Sequence, residues 1–226
     1  VQLAFNEPTD SGISSLLSNY WGAWQNLSNN PEDMGTRQAL AQSAASLADG
    51  FQSLSSQLTT LQAQTAQNVT DQINQVNNLG TQIAQLNLTI SKITATGNSP
   101  NDLLDQRDLL VDQLSALGNV AVTNGANGSV DISFGGASLV TAGTSATLAE
   151  SDLTSLSAGK IQGLITLRDT TIPGCQAQLN TIASTLITKT NAQSAAGFDL
   201  NGNAGGAFFT GTDATNITVN PAVISN

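Results

Sequence analysis

Residues 31–96, PEDMGTRQAL AQSAASLADG FQSLSSQLTT LQAQTAQNVT DQINQVNNLG TQIAQLNLTI SKITAT, decide the fold. Leu40, Ala44, Leu47, Phe51, Leu54, Leu58, Leu61 and Thr65 alternate steps of four and three. The stripe resumes as Val69, Ile73, Val76, Leu79, Ile83, Leu86, Ile90 and Ile93. Heptads held this long predict one helix that lies along other helices. At 1.5 Å per residue it would reach on the order of 90 Å. The four-residue steps from Leu61 through Ile73 read as a stutter that relaxes the supercoil locally. A rod of that length points to building or spanning rather than to chemistry.

Working outward, Asn30 reads as the N-cap, with Pro31 in the first turn and Glu32 and Asp33 facing the positive helix end. Gly50 and Gly80 each cost about 1 kcal/mol relative to Ala and read as points of close helix packing. Gly97 and the Asn98-Ser99-Pro100 turn stop the rod. A second helix follows from Pro100 to Leu117, with Leu103, Leu104, Leu110, Val111, Leu114 and Leu117 inward and Gly118 closing it. The turn is short, so the two helices are expected as antiparallel neighbours. Before the rod, Asp10, Ser11 and Ser14 are candidate caps of a helix with Ile13, Leu16, Leu17, Tyr20, Trp21, Trp24 and Leu27 inward. Both tryptophans read as anchors against the rod.

At Asn119 the period changes to two. Val120 and Val122, then Val130, Ile132 and Phe134, then Leu139 and Val140 are strand signals. The turns between them, Asn124-Gly125, Asn127-Gly128 and Gly135-Gly136, mark a β-meander. About thirty residues are too few for an independent core, so the meander either docks on the helices or stands on a stalk. From Ala158 the helical period returns as Ile161, Leu164, Leu167, Ile172, Cys175, Leu179, Ile182 and Leu186. Pro173 breaks or kinks it and Gly197 ends it. A Gly-rich tail is strand-like at Ile217 and Val219. The expected fold is mainly α with a small β module: an elongated, discontinuous helical-bundle rod. Residues 1–118 and 158–226 form the rod with its strand-like tail, and residues 119–157 form the β insertion.

The 226 residues are 39% apolar but only 4% aromatic and 10% charged, with a net charge of −10. That surface is neutral and polar, suited to packing beside copies of itself. The basic residues Arg37, Lys92, Arg107, Lys160, Arg168 and Lys189 are scattered singly, which argues against binding nucleic acid. Histidine is absent, which removes the commonest general base, the commonest metal ligand and the Ser-His-Asp triad. The lone Cys175 cannot form an internal disulfide and reads as a small buried apolar residue. No stretch approaches the roughly 20 apolar residues of a membrane span, and no signal peptide is evident. The start at Val1 and the end at Asn226 within a strand-like run read as the limits of a trimmed piece.

Four constellations carry residue types that could do chemistry. Asp199, Asn201 and Asn203 have the oxygen spacing of a calcium loop, but Ala204 replaces the turn glycine and Thr210 the bidentate Glu, which favours a polar turn. The glycines at 202, 205 and 206 lack the Lys-Ser/Thr of a phosphate loop. Asp105 and Asp108 flank Arg107, and Arg168 adjoins Asp169. Glycosidases work through paired carboxylates of this type. Without an aromatic cleft, these acids read as structural ion pairs on exposed helix faces. No catalytic, cofactor-binding or metal-binding residue is expected.

Several blocks together resemble one family, the flagellar hook-associated protein 1 (FlgK) family. They are Phe5-Asn6-Glu7-Pro8-Thr9-Asp10-Ser11-Gly12-Ile13 with Trp24-Gln25-Asn26-Leu27-Ser28-Asn29-Asn30-Pro31; Pro100-Asn101-Asp102-Leu103-Leu104-Asp105-Gln106-Arg107-Asp108 leading into Leu109-Leu110-Val111-Asp112; Gly159-Lys160-Ile161-Gln162-Gly163-Leu164 with Leu167-Arg168-Asp169; and Gly197-Phe198-Asp199-Leu200-Asn201-Gly202 before Phe208-Phe209. They follow family order across nearly the whole chain.

The resemblance implies a structural protein of the bacterial flagellum that joins hook to filament outside the cell and is not an enzyme. It implies export through the flagellar type III channel with a chaperone, and a subunit ring in a tubular lattice beside the hook protein and the second junction protein. The termini that form coiled coils on assembly are missing, so the piece itself is expected to be an elongated monomer. Two departures stand out: the β insertion is shorter than in many members, and Gln193-Ser194-Ala195-Ala196 lacks a histidine expected there. The alternatives are a second junction protein or a flagellin, a coiled-coil adhesin, and a carbohydrate-active enzyme working through Asp105 and Asp108.

Overall fold

A single helix, α2, runs unbroken from Met34 to Ala95 in the computed structural model, which describes residues 12–198 and 202–224. Before it lies α1, Ile13–Asn29, and after it α3, Asn101–Leu117. Four strands follow: β1 Val120–Asn124, β2 Val130–Phe134, β3 Ala137–Thr141 and β4 Thr144–Ser145. Helix α4, Gly159–Thr166, passes through a π turn, Leu167–Thr171, into α5, Ile172–Ala195. A two-stranded ribbon of β5 Phe209–Thr210 and β6 Thr218–Val219 precedes the short α6, Pro221–Ile224. The protein is therefore mainly helical with a small β module. By contacts it forms two compact units, one of the described residues up to Gln62 with those from Thr171, the other of Ala63–Thr170.

The heptad stripe of α2 is its buried face. Leu40, Ala44, Leu47, Phe51, Leu54, Leu58, Thr65, Val69, Ile73, Val76, Leu79, Ile83 and Ile90 are all buried. Leu61, Leu86 and Ile93 are only half-buried. At the level of Leu86 the buried residue is Asn87, which is fully enclosed. A straight helix drifts about 20° per heptad against a strict 3.5 repeat, so the seam moves by one residue along so long an element.

The start of α2 also differs from expectation. Asn30 is not its cap: the Asp33 amide donates to Asn30 O (3.2 Å) and closes a turn over Pro31 and Glu32. Asp33 Oδ1 then accepts the Gly35 N–H at 2.9 Å, so the capping carboxylate lies three residues later. At the other end Gly97 adopts φ +82°, the left-handed geometry that closes a helix.

In the first unit, Tyr20 of α1 is fully buried among Trp24, Phe208 and Phe209, with ring centroids 6.3, 6.4 and 5.8 Å away. Trp21, expected inward, is 52% exposed; neighbouring helical residues point about 100° apart, and Tyr20 takes the central position. The cap of α1 is Gly12, without a side-chain bond. Ser14 therefore lies inside the helix, while Asp10 and Ser11 fall outside the described residues. A Cβ on Gly50 would stand 2.6 Å from Leu16 Cδ1, the close packing its position predicted. On α5 the buried face is Ile172, Leu179, Ala183, Leu186, Ile187 and Thr190. The stripe steps by four after Leu179, which leaves Ile182 47% exposed and Cys175 half-buried rather than enclosed. The α-helical pattern is broken beside Pro173, as expected, by the π turn Leu167–Thr171. Pro173 itself occupies the first turn of α5, where its missing N–H costs nothing, directly after that widened turn.

In the second unit the sheet has the order β1-β2-β3-β4, antiparallel throughout. Gly135 and Gly136, at φ +56° and +91°, make the two-residue hairpin that their sequence signals. Val130, Ile132 and Phe134 alternate inward, joining Leu139 and Val140 in one core with Val69, Ile73, Val76, Ile83, Leu114, Leu117 and Ile161. Of the two expectations for the meander, docking on the helices is the one realised. A Cβ on Gly80 would sit 2.8 Å from Leu139 Cδ1, and one on Gly159 would sit 2.5 Å from Gly118 Cα. Gly80 lets the sheet close on α2, and Gly159 lets the start of α4 approach the backbone at the end of α3. Leu103, Leu104, Leu110 and Val111 are half-buried.

Candidate functional site

The cluster read as a surface ion pair is organised otherwise. Asp105 is exposed and Asp108 is 74% exposed, but Arg107 is buried. Its Nη1 donates to Gly128 O at 2.7 Å and to Asn87 Oδ1 at 3.4 Å. Its Nε makes no hydrogen bond, and Asp108 Oδ1 stands 3.8 Å away. Arg107 thus faces into the second unit while keeping a long ion pair with the exposed Asp108. The apolar stem and planar head of Arg suit it to reach a backbone carbonyl through a core.

Arg168, on the π turn, holds two carboxylates. Nε and Nη2 reach Asp169 at 2.7 and 2.8 Å, while Nη1 and Nη2 reach Glu150 at 2.9 and 2.5 Å. The hydrogen bonds from Arg168 hold the carboxyls of Glu150 and Asp169 below the usual carboxylate range. They also raise the guanidinium above its ordinary value, Asp169 contributing most. Glu150 had no signal in the sequence, since 18 residues separate it from Arg168. The sequence did mark Arg168–Asp169.

Three asparagines provide the most specific side-chain geometry. Asn87 Nδ2 donates to Val130 O (2.7 Å) and Ala142 O (2.6 Å), and Oδ1 accepts the Val130 N–H (3.2 Å). Asn77 Nδ2 donates to Leu148 O (2.9 Å), and its Oδ1 accepts the Leu148 N–H (2.8 Å). On α5, Asn191 Nδ2 donates to Phe209 O (2.9 Å), while Oδ1 accepts from Phe208 N (2.9 Å) and Phe209 N (2.8 Å). Of the three, Asn87 was findable: it continues Ile83 and precedes Ile90 by steps of four and three, a polar residue on an apolar stripe.

The remaining candidates contribute little geometry. Asp199 and Asn201 of the calcium-like spacing lie outside the described residues, and Thr210 lies in β5. Among the described residues no group of three or more His, Cys, Asp or Glu is placed to hold a metal. No described helix is long and apolar enough to cross a membrane. A groove of about 580 Å³ between α1 and the start of α2 is lined by small side chains, among them Ser18, Gly22, Ala23, Gly35, Ala39 and Ser43. Apart from the Asp33 carboxylate, its lining is uncharged.

The family model of the flagellar hook-associated protein FlgK helical domain matches residues 1–152 and 149–209. The chain belongs to the FlgK family. It is 32% identical to flagellar hook-associated protein 1 of Bacillus subtilis (strain 168) over 123 residues, 54% of this chain and 24% of that protein. It is 31% identical to flagellar hook-associated protein 1 of Escherichia coli (strain K12), covering 88% of this chain and 41% of that one. The structure of the flagellar hook junction protein FlgK from Burkholderia pseudomallei superposes with a TM-score of 0.80 at 31% identity, over 92% of this chain and 42% of that chain. The chain thus spans less than half the length of these FlgK relatives. The likeness takes in both the helical elements and the β module.

Proposed function

We propose that this chain is part of a structural component of the bacterial flagellum, joining hook to filament by subunit packing in a tubular lattice. The observation that carries the reading is the agreement with a FlgK hook-junction structure over nine-tenths of the chain, at a TM-score of 0.80. The neutral polar exterior, 10% charged residues overall, supports packing beside copies without strong like-charge repulsion. On this reading the protein works outside the cell, exported by the flagellar type III system with a chaperone. In full length it assembles as a ring, with the hook protein and the second junction protein as neighbours. It is not an enzyme and carries no catalytic, metal or cofactor residues, and neither nucleic acid nor membrane is a partner. Residues 119–157 serve as an inserted β module of a discontinuous helical domain, 1–118 with 158–226.

The test is genetic. Deleting the gene is expected to leave hooks without attached filaments, with filament protein lost to the medium; normal filaments in the deletion strain would overturn the reading. Sedimentation of this chain alone is expected to give a monomer. Stable oligomers would favour a self-associating tether instead.

A further inference from the structure

The backbone N–H groups of Val130, Leu148, Phe208 and Phe209 are all received by asparagine side chains borne on helices. In each case the same amide also donates to a carbonyl of the same segment, at Val130, Leu148 or Phe209. An asparagine amide has the donor and acceptor of a peptide group, so each side chain does for its segment what a neighbouring strand would do. We propose that Asn77, Asn87 and Asn191 are register latches. Each fixes one non-helical segment at a single step along its helix, and loss of its amide releases that segment locally while the helix stays intact.

Apolar contact alone does not supply this. Leu, Ile and Val substitute for one another with small repacking, so an all-apolar seam tolerates sliding, and a one-residue slip of a strand exchanges its two faces. A buried amide is intolerant of it. Sliding would leave Asn87, with no exposed surface, without partners in a site closed to water. The helix accepts a cost to carry these residues, because Asn ranks among the poor helix formers.

Two neighbours point to Asn87 as the tightest of the three. Ala142 adopts φ +50°, a left-handed geometry unfavourable for a residue with a Cβ. It is held there between Asp131 Oδ1 on its N–H (2.7 Å) and Asn87 on its carbonyl. Arg107 closes the same node by binding both Asn87 Oδ1 and Gly128 O.

Native-state amide exchange on this chain tests the proposal, because the latched amides are themselves the reporters. Asn87→Leu keeps an apolar volume and removes the amide. It is expected to speed exchange at Val130 at least tenfold while the Ile83 amide within α2 keeps its rate. Asn77→Leu should do the same at Leu148, and Asn191→Leu at Phe208 and Phe209, each without affecting the other two segments. If Asn87→Leu fails to fold, the half-buried Asn77 and Asn191 decide by the same readout. Unchanged protection with leucine, or a uniform acceleration that includes α2, would overturn the proposal, since the amide would then be either dispensable or simply part of global stability.

Discussion

At the residue scale, Tyr20 separates packing from polarity. Its ring is fully enclosed and its hydroxyl lies 3.1 Å from Thr190 Oγ1, itself buried. Tyr20→Phe keeps the ring and removes one buried hydrogen bond, for an expected loss of about 1 kcal/mol. Thr190 can turn its hydroxyl to its own helix's carbonyls, which keeps the cost from rising further. A urea midpoint lowered at unchanged m would report it; no shift would show that the hydroxyl contributes nothing. Burial pushes the Tyr20 phenol above its ordinary value. A raised folded-state value means that stability is full below about pH 10 and falls as pH rises through the folded value. Tyr20→Phe should flatten that alkaline limb, which a pH series of urea midpoints would show.

At the scale of elements, the glycines of the helices divide by what surrounds them. Gly80 lies under Leu139, 2.8 Å from where a Cβ would stand, while Gly22 has nothing within 4 Å. Helix propensity favours Ala by about 1 kcal/mol at both. Gly22→Ala is therefore expected to stabilise this chain by up to about 1 kcal/mol. Gly80→Ala should destabilise it by about 1–3 kcal/mol, since overpacking against the sheet outweighs the propensity gain. Thermal or urea unfolding of the two variants decides, and equal shifts of the same sign would show that propensity alone governs.

The same elements show what the sequence made legible. Periodicity alone placed α2 to within a few residues at either end, because thirteen of its sixteen stripe positions are enclosed in the fold. The hairpin at Gly135–Gly136 was equally plain, since only a turn with two positive φ values needs that pair. Periodicity failed where tertiary partners chose between neighbours on one face: Asn87 over Leu86, Ala183 over Ile182, Tyr20 over Trp21. Strand β4, two residues long, has no period to read. The Glu150 partner of Arg168 and the backbone carbonyl beneath Arg107 were invisible for a related reason. Contacts across many residues leave no mark on local spacing.

For the molecule as a whole, charge sets the response to acid. Sixteen Asp and Glu stand against six Lys and Arg, with no histidine, so no side chain of ordinary histidine type titrates between pH 5 and 8. Stability is expected to be flat across that interval. Below it, the carboxyls of Glu150 and Asp169, held low by Arg168, and of Asp213, held low by hydrogen bonds from Thr215, take up protons more readily unfolded than folded. Depressed folded values mean that their contribution is complete above the unfolded carboxylate range near pH 4 and disappears as pH falls through the folded values. The gain is small: Glu150 and Asp169 have side chains 39% and 52% exposed, which solvent screens to about 0.5–1 kcal/mol for each pair. Net charge passes through zero near the sequence pI of about 4.1, so self-association should peak in the same window. Urea midpoints from pH 2 to 8 for the chain and for Glu150→Gln would test the assignment. The variant should be less stable by about 0.5–1 kcal/mol at pH 7 and should converge on the parent near pH 2. Parallel curves at every pH would mean that Glu150 acts through shape and not through its charge.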